Sequence, residues 1–260
     1  MLNFRQVTAK DNKIIKLVTL LQKSSAARRE NKLFVLEGLR LCGDAASCGI
    51  KFETLIVSKN ASLKFADSIN KYSANSKDLI EVPDELLVKM SDTVNPQGIM
   101  AVAHMPDISV PIKLSGRYIA LEHVADPANI GAISRTAEAL GISGLIVSSD
   151  SCDIYSPKVL RASMGTIIRL PVYVCNNVLS FLNTNSLRAF ACIPKEDADL
   201  KFGDFKFGDG DAVLIGNEAN GLKKDTVIGA YKTITIKMRG RAESLNAASA
   251  AAIAMWELIK

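Results

Sequence analysis

A chain of 260 residues that is 48% hydrophobic and 23% charged can bury a sizeable core in one or two domains, which argues against disorder. No apolar run approaches the ~18 residues of a membrane span, the five cysteines form no CxxC pair, and two histidines are few for a metal centre or a triad. The formal charge of +5 is concentrated at the start: nine Lys and Arg in residues 1–40 face only Asp11, Glu30 and Glu37, a footprint that suits a polyanion or a solvated helix face.

The opening MLNFRQVTAKDNKIIKL lacks the apolar segment and cleavage site of a signal peptide, so a cytoplasmic protein with no membrane or metal partner is expected. Residues 11–30 read as one helix, with Ile14, Leu17, Val18 and Leu21 as its apolar stripe. KLFVLEG (32–38), FETLIVS (52–58), the start of DLIEVPDELLVKMSD and GIMAVAH (98–104) read as strands. LRLCGDAASCG reads as a helix, and Asp84 as the N-cap of another. These make a first domain, 1–104, and MPDISVPIKLSG (105–116) reads as a linker.

From 117 to 260 the alternation is cleaner. RYIALEHV, GLIVSS, IIRLPVYVC, RAFACIP, AVLIGNE and YKTITIKM read as strands. NIGAISRTAEALG, SPKVLRASMGT (Ser156 as N-cap, Pro157 in the first turn) and the segment from Ser244 onward read as helices. Continuous apolar strands between helices predict an α/β domain with a parallel sheet covered on both faces.

Three stretches carry polar residues that a core does not need. In NIGAISRTAEALG, Asn129 as N-cap puts Ile130, Ile133, Ala137 and Leu140 on the buried stripe. Gly131, Arg135 and Glu138 then share another face, and Arg135 leans back toward the turn at the strand's carboxyl end, where open α/β sheets bind ligands. The plainer alternative pairs Arg135 with Glu138 on the surface. In AVLIGNEANGL, a strand runs into Gly216, then Glu218 and Gly221, with neither a Walker A nor a GxGxxG pattern. In ITIKMRGRAESLNAASAAAIAMWELIK, a basic loop with Lys237, Arg239 and Arg241 precedes Ser244 and Asn246 at the start of an alanine-rich helix that packs closely against core or partner.

Taken in order, DPANIGAISRTAEALG, IGNEANGL and IKMRGRAESLNAASAAAIAMWE resemble the three motifs of the SpoU/TrmH family of RNA ribose 2′-O-methyltransferases, in the SPOUT superfamily. The first half, through ARRENKLFVLEGLRL and VNPQGIMAVA, resembles the family's substrate-binding domain. The resemblance implies a SPOUT trefoil-knotted parallel-sheet domain, 117–260, preceded by a smaller L30e-like α/β domain that grips RNA. It implies S-adenosyl-L-methionine as cofactor, a homodimer through the knotted domain, and a ribose 2′-hydroxyl in RNA, foremost ribosomal RNA, as acceptor. Transfer RNA, or a catalytically silent RNA-binding relative, is the alternative. Carried over by motif, Gly216, Ile236, Met238 and Leu245 hold the cofactor. Asn129, Arg135, Glu218, Ser244 and Asn246 form the catalytic set, and Arg28, Arg29, Lys32, Arg239 and Arg241 meet RNA. One departure stands out: Ala247 and Ala248 follow the Ser-Leu-Asn where Val and Ser are common, which implies altered packing or dimer contact.

Overall fold

The computed structural model describes residues 2–106, 111–194 and 198–260, so part of the expected linker, 107–110, lies outside the described residues. The chain forms two compact units, Met1–Asp107 with Tyr155–Arg161, and Ile108–Ile154 with Ala162–Lys260.

The first unit contains β1 (Arg5–Gln6), α1 (Lys13–Lys23), α2 (Ser25–Asn31), β2 (Leu33–Glu37), α3 (Leu39–Ser47), β3 (Phe52–Ser58), α4 (Lys59–Lys64), α5 (Ala66–Ser73), β4 (Leu79–Val82), α6 (Asp84–Met90) and β5 (Ile99–His104). Its five strands are ordered β1-β4-β3-β5-β2, with β5 antiparallel to both neighbours and the other pairs parallel. Ile15, Val18 and Leu21 of α1 are buried against Val35, Ile56 and Met100 of the sheet. Each such side chain removed from water contributes on the order of 1.5–3 kcal/mol.

The single helix expected over 11–30 is two. Ser24 has extended geometry (φ −119°, ψ 115°); its backbone N–H closes α1 on Leu20 O (2.9 Å), and its Oγ accepts from Ala27 N (3.1 Å) to open α2. A serine can cap both helices at once because its hydroxyl competes with the backbone for donors. The N-cap expected at Asp84 is Pro83, with Asp84 as the first helical residue.

The second unit follows with β6 (Tyr118–Leu121), α7 (Pro127–Ala139), β7 (Gly144–Ser148), then α8 (Pro157–Ala162, whose residues up to Arg161 belong to the first unit), α9 (Thr166–Arg169), β8 (Val172–Cys175), α10 (Val178–Thr184), β9 (Arg188–Cys192), β10 (Leu200–Lys201), β11 (Asp211–Ile215), α11 (Lys224–Gly229), β12 (Lys232–Thr235) and α12 (Ala247–Ile259). Its seven strands, ordered β10-β12-β9-β11-β6-β7-β8, are all parallel. The strands β6, β7 and β11 are buried along their whole length, as a sheet covered on both faces requires.

One expected strand is cut short. In IIRLPVYVC only Val172–Cys175 is extended, because Gly165 (φ +84°) starts the short helix α9 and Pro171, which has no N–H to give a ladder, separates helix from strand. No helix among the described residues is long and apolar enough to cross a membrane.

Candidate active site

Three loops leave the carboxyl ends of adjacent parallel strands: the one after β9, the one after β11 and the one after β12. Together they bound a cavity of about 610 Å³. Gly216, Ile236, Met238 and Leu245, the four expected cofactor residues, all line it, as do Glu218 and Ser244.

The loop after β11 folds back on itself. Asn217 and Gly221 exchange two backbone hydrogen bonds of 3.0 and 2.9 Å, and Gly221 takes the left-handed conformation (φ +67°). A Cβ on Gly216 would lie 2.3 Å from the Gly221 carbonyl carbon, so only glycine lets the strand close into this turn.

The helix α7 begins two residues before the expected N-cap. Asp126 caps it through Ala128 N (2.9 Å), Pro127 fits its first turn, and Asn129 is helical and 5% exposed. That placement turns Asn129 inward. Its Nδ2 donates to Glu218 Oε1 (2.7 Å), and its Oδ1 accepts from Asn246 Nδ2 (3.0 Å). The backbone N–H groups of Ala125 and Asp126 also point at the Glu218 carboxylate, at 3.4 and 3.5 Å. Partial burial works to raise the Glu218 pKa, but the Asn129 amide and these backbone donors outweigh it and hold the carboxyl below its ordinary range.

Asn246, not Ser244, is the N-cap of α12: its Oδ1 accepts from Ala248 N (2.9 Å) and Ser249 N (3.3 Å). Ser244 is exposed in the preceding loop, at the cavity wall. Ala247 is buried and also lines the cavity.

Arg135 stands apart from this chain. It is exposed on α7, does not line the cavity, and its side chain has no hydrogen bond or ion pair among the described residues. The alternative pairing with Glu138 is overturned, because Arg169 takes that carboxylate (Nη2 to Oε2, 2.9 Å). The expected ligand-facing line from Gly131 to Arg135 is also corrected. Gly131 is buried, and a Cβ there would lie 2.4 Å from the Ala162 Cβ and 2.8 Å from Ser163 N. Its glycine serves close helix packing.

Among the expected RNA contacts, Arg29, Lys32, Arg239 and Arg241 are exposed. Arg28 is corrected: it is 4% exposed and donates to the carbonyl oxygens of Leu21 and Gln22 at the end of α1. Helix ends leave carbonyls without partners, and a buried guanidinium satisfies them.

Residues outside the expected set also shape the site. Asn217 donates from Nδ2 to His123 O (2.9 Å) and accepts on Oδ1 from Ala219 N and Asn220 N (2.9 and 3.0 Å). His123 is left-handed (φ +55°), an uncommon conformation for a side chain of its size. Its Nδ1 lies 3.3 Å from Asp150, which Lys223 Nζ also approaches, at 3.2 Å. The Ser148 hydroxyl, followed by these two partners, holds the Asp150 pKa down at about 2. In Cys192, at the cavity wall, burial pushes the thiol up to about 12, so it is an apolar lining group. Asn217 adjoins Glu218 and was within reach of motif reasoning; the His123–Asp150–Lys223 cluster joins three distant segments and has no local signal.

Residues 116–256 match the SpoU rRNA Methylase family, and residues 12–101 match an MRM3-like substrate binding domain. The chain is 29% identical to a 23S rRNA (uridine(2479)-2′-O)-methyltransferase of Streptomyces viridochromogenes, over 98% of this chain and 92% of that one. It is 30% identical to an uncharacterised tRNA/rRNA methyltransferase of Synechocystis, over 96% and 92% of the two chains. The AdoMet-bound rRNA methyltransferase structure from Sinorhizobium meliloti is similar with a TM-score of 0.85 at 27% identity, covering 98% of this chain and 97% of that one. With more than half its length inside the matched model, the chain belongs to the SpoU rRNA methylase family.

Proposed function

We propose that this protein transfers a methyl group from S-adenosyl-L-methionine to a ribose 2′-hydroxyl in ribosomal RNA. The observation that carries the reading is the Asn246–Asn129–Glu218 hydrogen-bonded chain, one end of which stands at the cavity lined by Gly216, Ile236, Met238 and Leu245. A cavity of about 610 Å³ lies within the ~300–1,000 Å³ usual for small-molecule sites. Its wall is apolar at Ile236, Met238 and Leu245 and open backbone along the Gly216–Gly221 turn, which fits a ligand with an adenine ring, a ribose and an amino-acid tail. Bound there, S-adenosylmethionine supplies a methyl group carried on a sulfonium.

The residues of the chain then have distinct tasks. Glu218, Asn129 and Asn246 lock the first turns of α7 and α12 to the loop that forms the cavity wall. Arg135, on the exposed face of α7, is left for the substrate. A guanidinium stays protonated in proteins and makes a poor base. Its planar fork suits holding an RNA phosphate and stabilising the alkoxide that develops on the ribose oxygen. Ser244, exposed at the wall, offers a hydroxyl to the same substrate.

The reading includes a division of labour in which 1–104 grips RNA, 117–260 carries out transfer and 105–116 joins them. Arg29, Lys32, Arg239 and Arg241 serve as the RNA contacts, supported by their exposure. It includes a homodimer, supported by Trp256 and Ile253 on α12, which remain 54% and 36% exposed although apolar. It also includes the family's trefoil knot, supported by the tight closure of three neighbouring loops around one cavity, and a cytoplasmic location, supported by the bacterial relatives.

The test is calorimetry with S-adenosylmethionine, followed by mapping of ribose methylation across total RNA with and without the gene. One site lost from ribosomal RNA is the expected result, and a site lost from transfer RNA would move the substrate. Cofactor binding without any lost ribose methylation would overturn the reading, and absent cofactor binding would make the protein a silent RNA binder.

A further inference from the structure

Glu122 belongs to none of the three motif cores, yet it grips the loop that forms the cavity wall. It follows β6, and its side chain is buried, the residue being 3% exposed. One carboxylate oxygen accepts from Lys223 N at 2.8 Å, and the other from the buried Thr226 hydroxyl at 2.7 Å. Both donors lie at the start of α11, whose N-cap, Lys223, makes no side-chain capping bond. A lysine ammonium has only donors, so it cannot satisfy the N–H groups that a helix start leaves open. The acceptor is supplied instead from a hundred residues away.

The loop is therefore pinned at both ends. Asn217 and Gly221 clasp one end through their paired backbone bonds, and Glu122 anchors the other at Lys223. The cavity is walled from both sides of the anchor, by Gly216 and Leu222 before it and by Lys224, Val227 and Ile228 after it. Glu122 itself does not line the cavity.

We propose that Glu122 is a positioning residue for cofactor binding: by capping α11 from another segment, it fixes the width of the pocket between the 216–222 turn and α11. The proposal rests on the reading of this cavity as the S-adenosylmethionine site. Removing the carboxylate leaves the Lys223 N–H and the Thr226 hydroxyl without partners and frees α11 to swing away from the cavity.

The experiment is calorimetric titration of wild-type protein, Glu122→Ala, Glu122→Gln and Thr226→Val with S-adenosylmethionine, paired with hydrogen exchange over residues 217–228. Glu122→Ala should weaken the cofactor about tenfold, because two buried partners are lost. Glu122→Gln and Thr226→Val, which each disturb one bond, should weaken it about threefold. Exchange in 217–228 should rise in the same order, while kcat at saturating cofactor and the KM for RNA stay near wild type. In the Glu122→Ala background, Thr226→Val should add nothing. Folded variants that bind the cofactor with wild-type affinity overturn the proposal, as does weakened binding with unchanged exchange in 217–228. Should Glu122→Ala fail to fold, the two single-bond variants decide by the same criteria. If the wild-type protein itself does not bind S-adenosylmethionine, the functional reading fails instead, and the exchange pattern still decides whether Glu122 holds the loop.

Discussion

Arg28 on α2 and Arg135 on α7 share a sequence setting: each is a cation among small and polar residues on a helix. Their fates are opposite. Arg28 is buried at the break between α1 and α2, where the last carbonyls of α1 need donors. Arg135 lies in the interior of a thirteen-residue helix, where the carbonyls are already bonded, and its guanidinium is left facing outward. Lys223 is intermediate, a 60% exposed ammonium that shares Asp150 with His123. What separates a buried strut from an outward-facing cation is therefore whether an unsatisfied acceptor lies within reach, and the charge alone does not decide it.

The largest effect that would test this contrast is at Arg135. Arg135→Ala should lower methyl transfer by on the order of 10²–10³-fold while cofactor affinity and thermal stability hold. Arg135→Lys should recover little, because an ammonium lacks the fork. Single-turnover assays beside cofactor calorimetry read both, and wild-type turnover in the alanine variant removes Arg135 from the chemistry. Arg28→Ala should do the reverse, costing about 1–3 kcal/mol in denaturant unfolding through the Leu21 and Gln22 carbonyls it strands. Its turnover per folded molecule should be normal; loss of RNA affinity without loss of stability would restore Arg28 as a contact.

A smaller change is expected at the exposed cations at the end of α2, Arg29 in its last turn and Lys32 at its C-cap. Arg29→Ala with Lys32→Ala should weaken RNA binding and reduce its salt dependence by about 0.7 per lost phosphate contact, with cofactor binding untouched. Filter binding across a salt series measures this, and an unchanged slope would move the RNA surface elsewhere. The smallest effect belongs to the Lys223 pair. The Asp150 pKa is lowered in the folded protein, to about 2, so its stabilisation is fully present above its unfolded pKa of about 3.9 and is lost as pH falls through about 2. Because the Asp150 side chain is 41% exposed, the amount is small. Unfolding measured down the acid range should show a shallower loss in Asp150→Asn than in wild type.

Much of this was readable in the sequence. The apolar runs YIAL, GLIVS and DAVLI mark strands because a strand buried on both faces has no polar alternation to lose. The resemblance of the three motifs to the SpoU/TrmH family named Gly216, Ile236, Met238, Leu245, Glu218 and Ser244, which line the cavity, and also Arg135, which does not. Other features depend on distant segments. Asp126 displaced Asn129 as cap because Pro127 favours a first helical position, which turned Asn129 inward toward Glu218. Gly131 looked like a ligand-facing gap, but Ala162 and Ser163 fill the space beside it. Likewise, nothing near residue 28 announces that two carbonyls await it, and nothing near 122 announces Thr226.

The amide of Asn129 has a consequence for how this protein can vary over generations. It gives a hydrogen to Glu218 and takes one from Asn246 in the same breath. Aspartate at 129 would keep the acceptor and set a second carboxylate against Glu218; serine would be too short to span both neighbours; leucine would fill the space and answer neither. Ile130 beside it can drift among branched apolar residues at modest cost. Position 129 has no such freedom, and any lineage that leaves asparagine there must rebuild both neighbours together or give up the site.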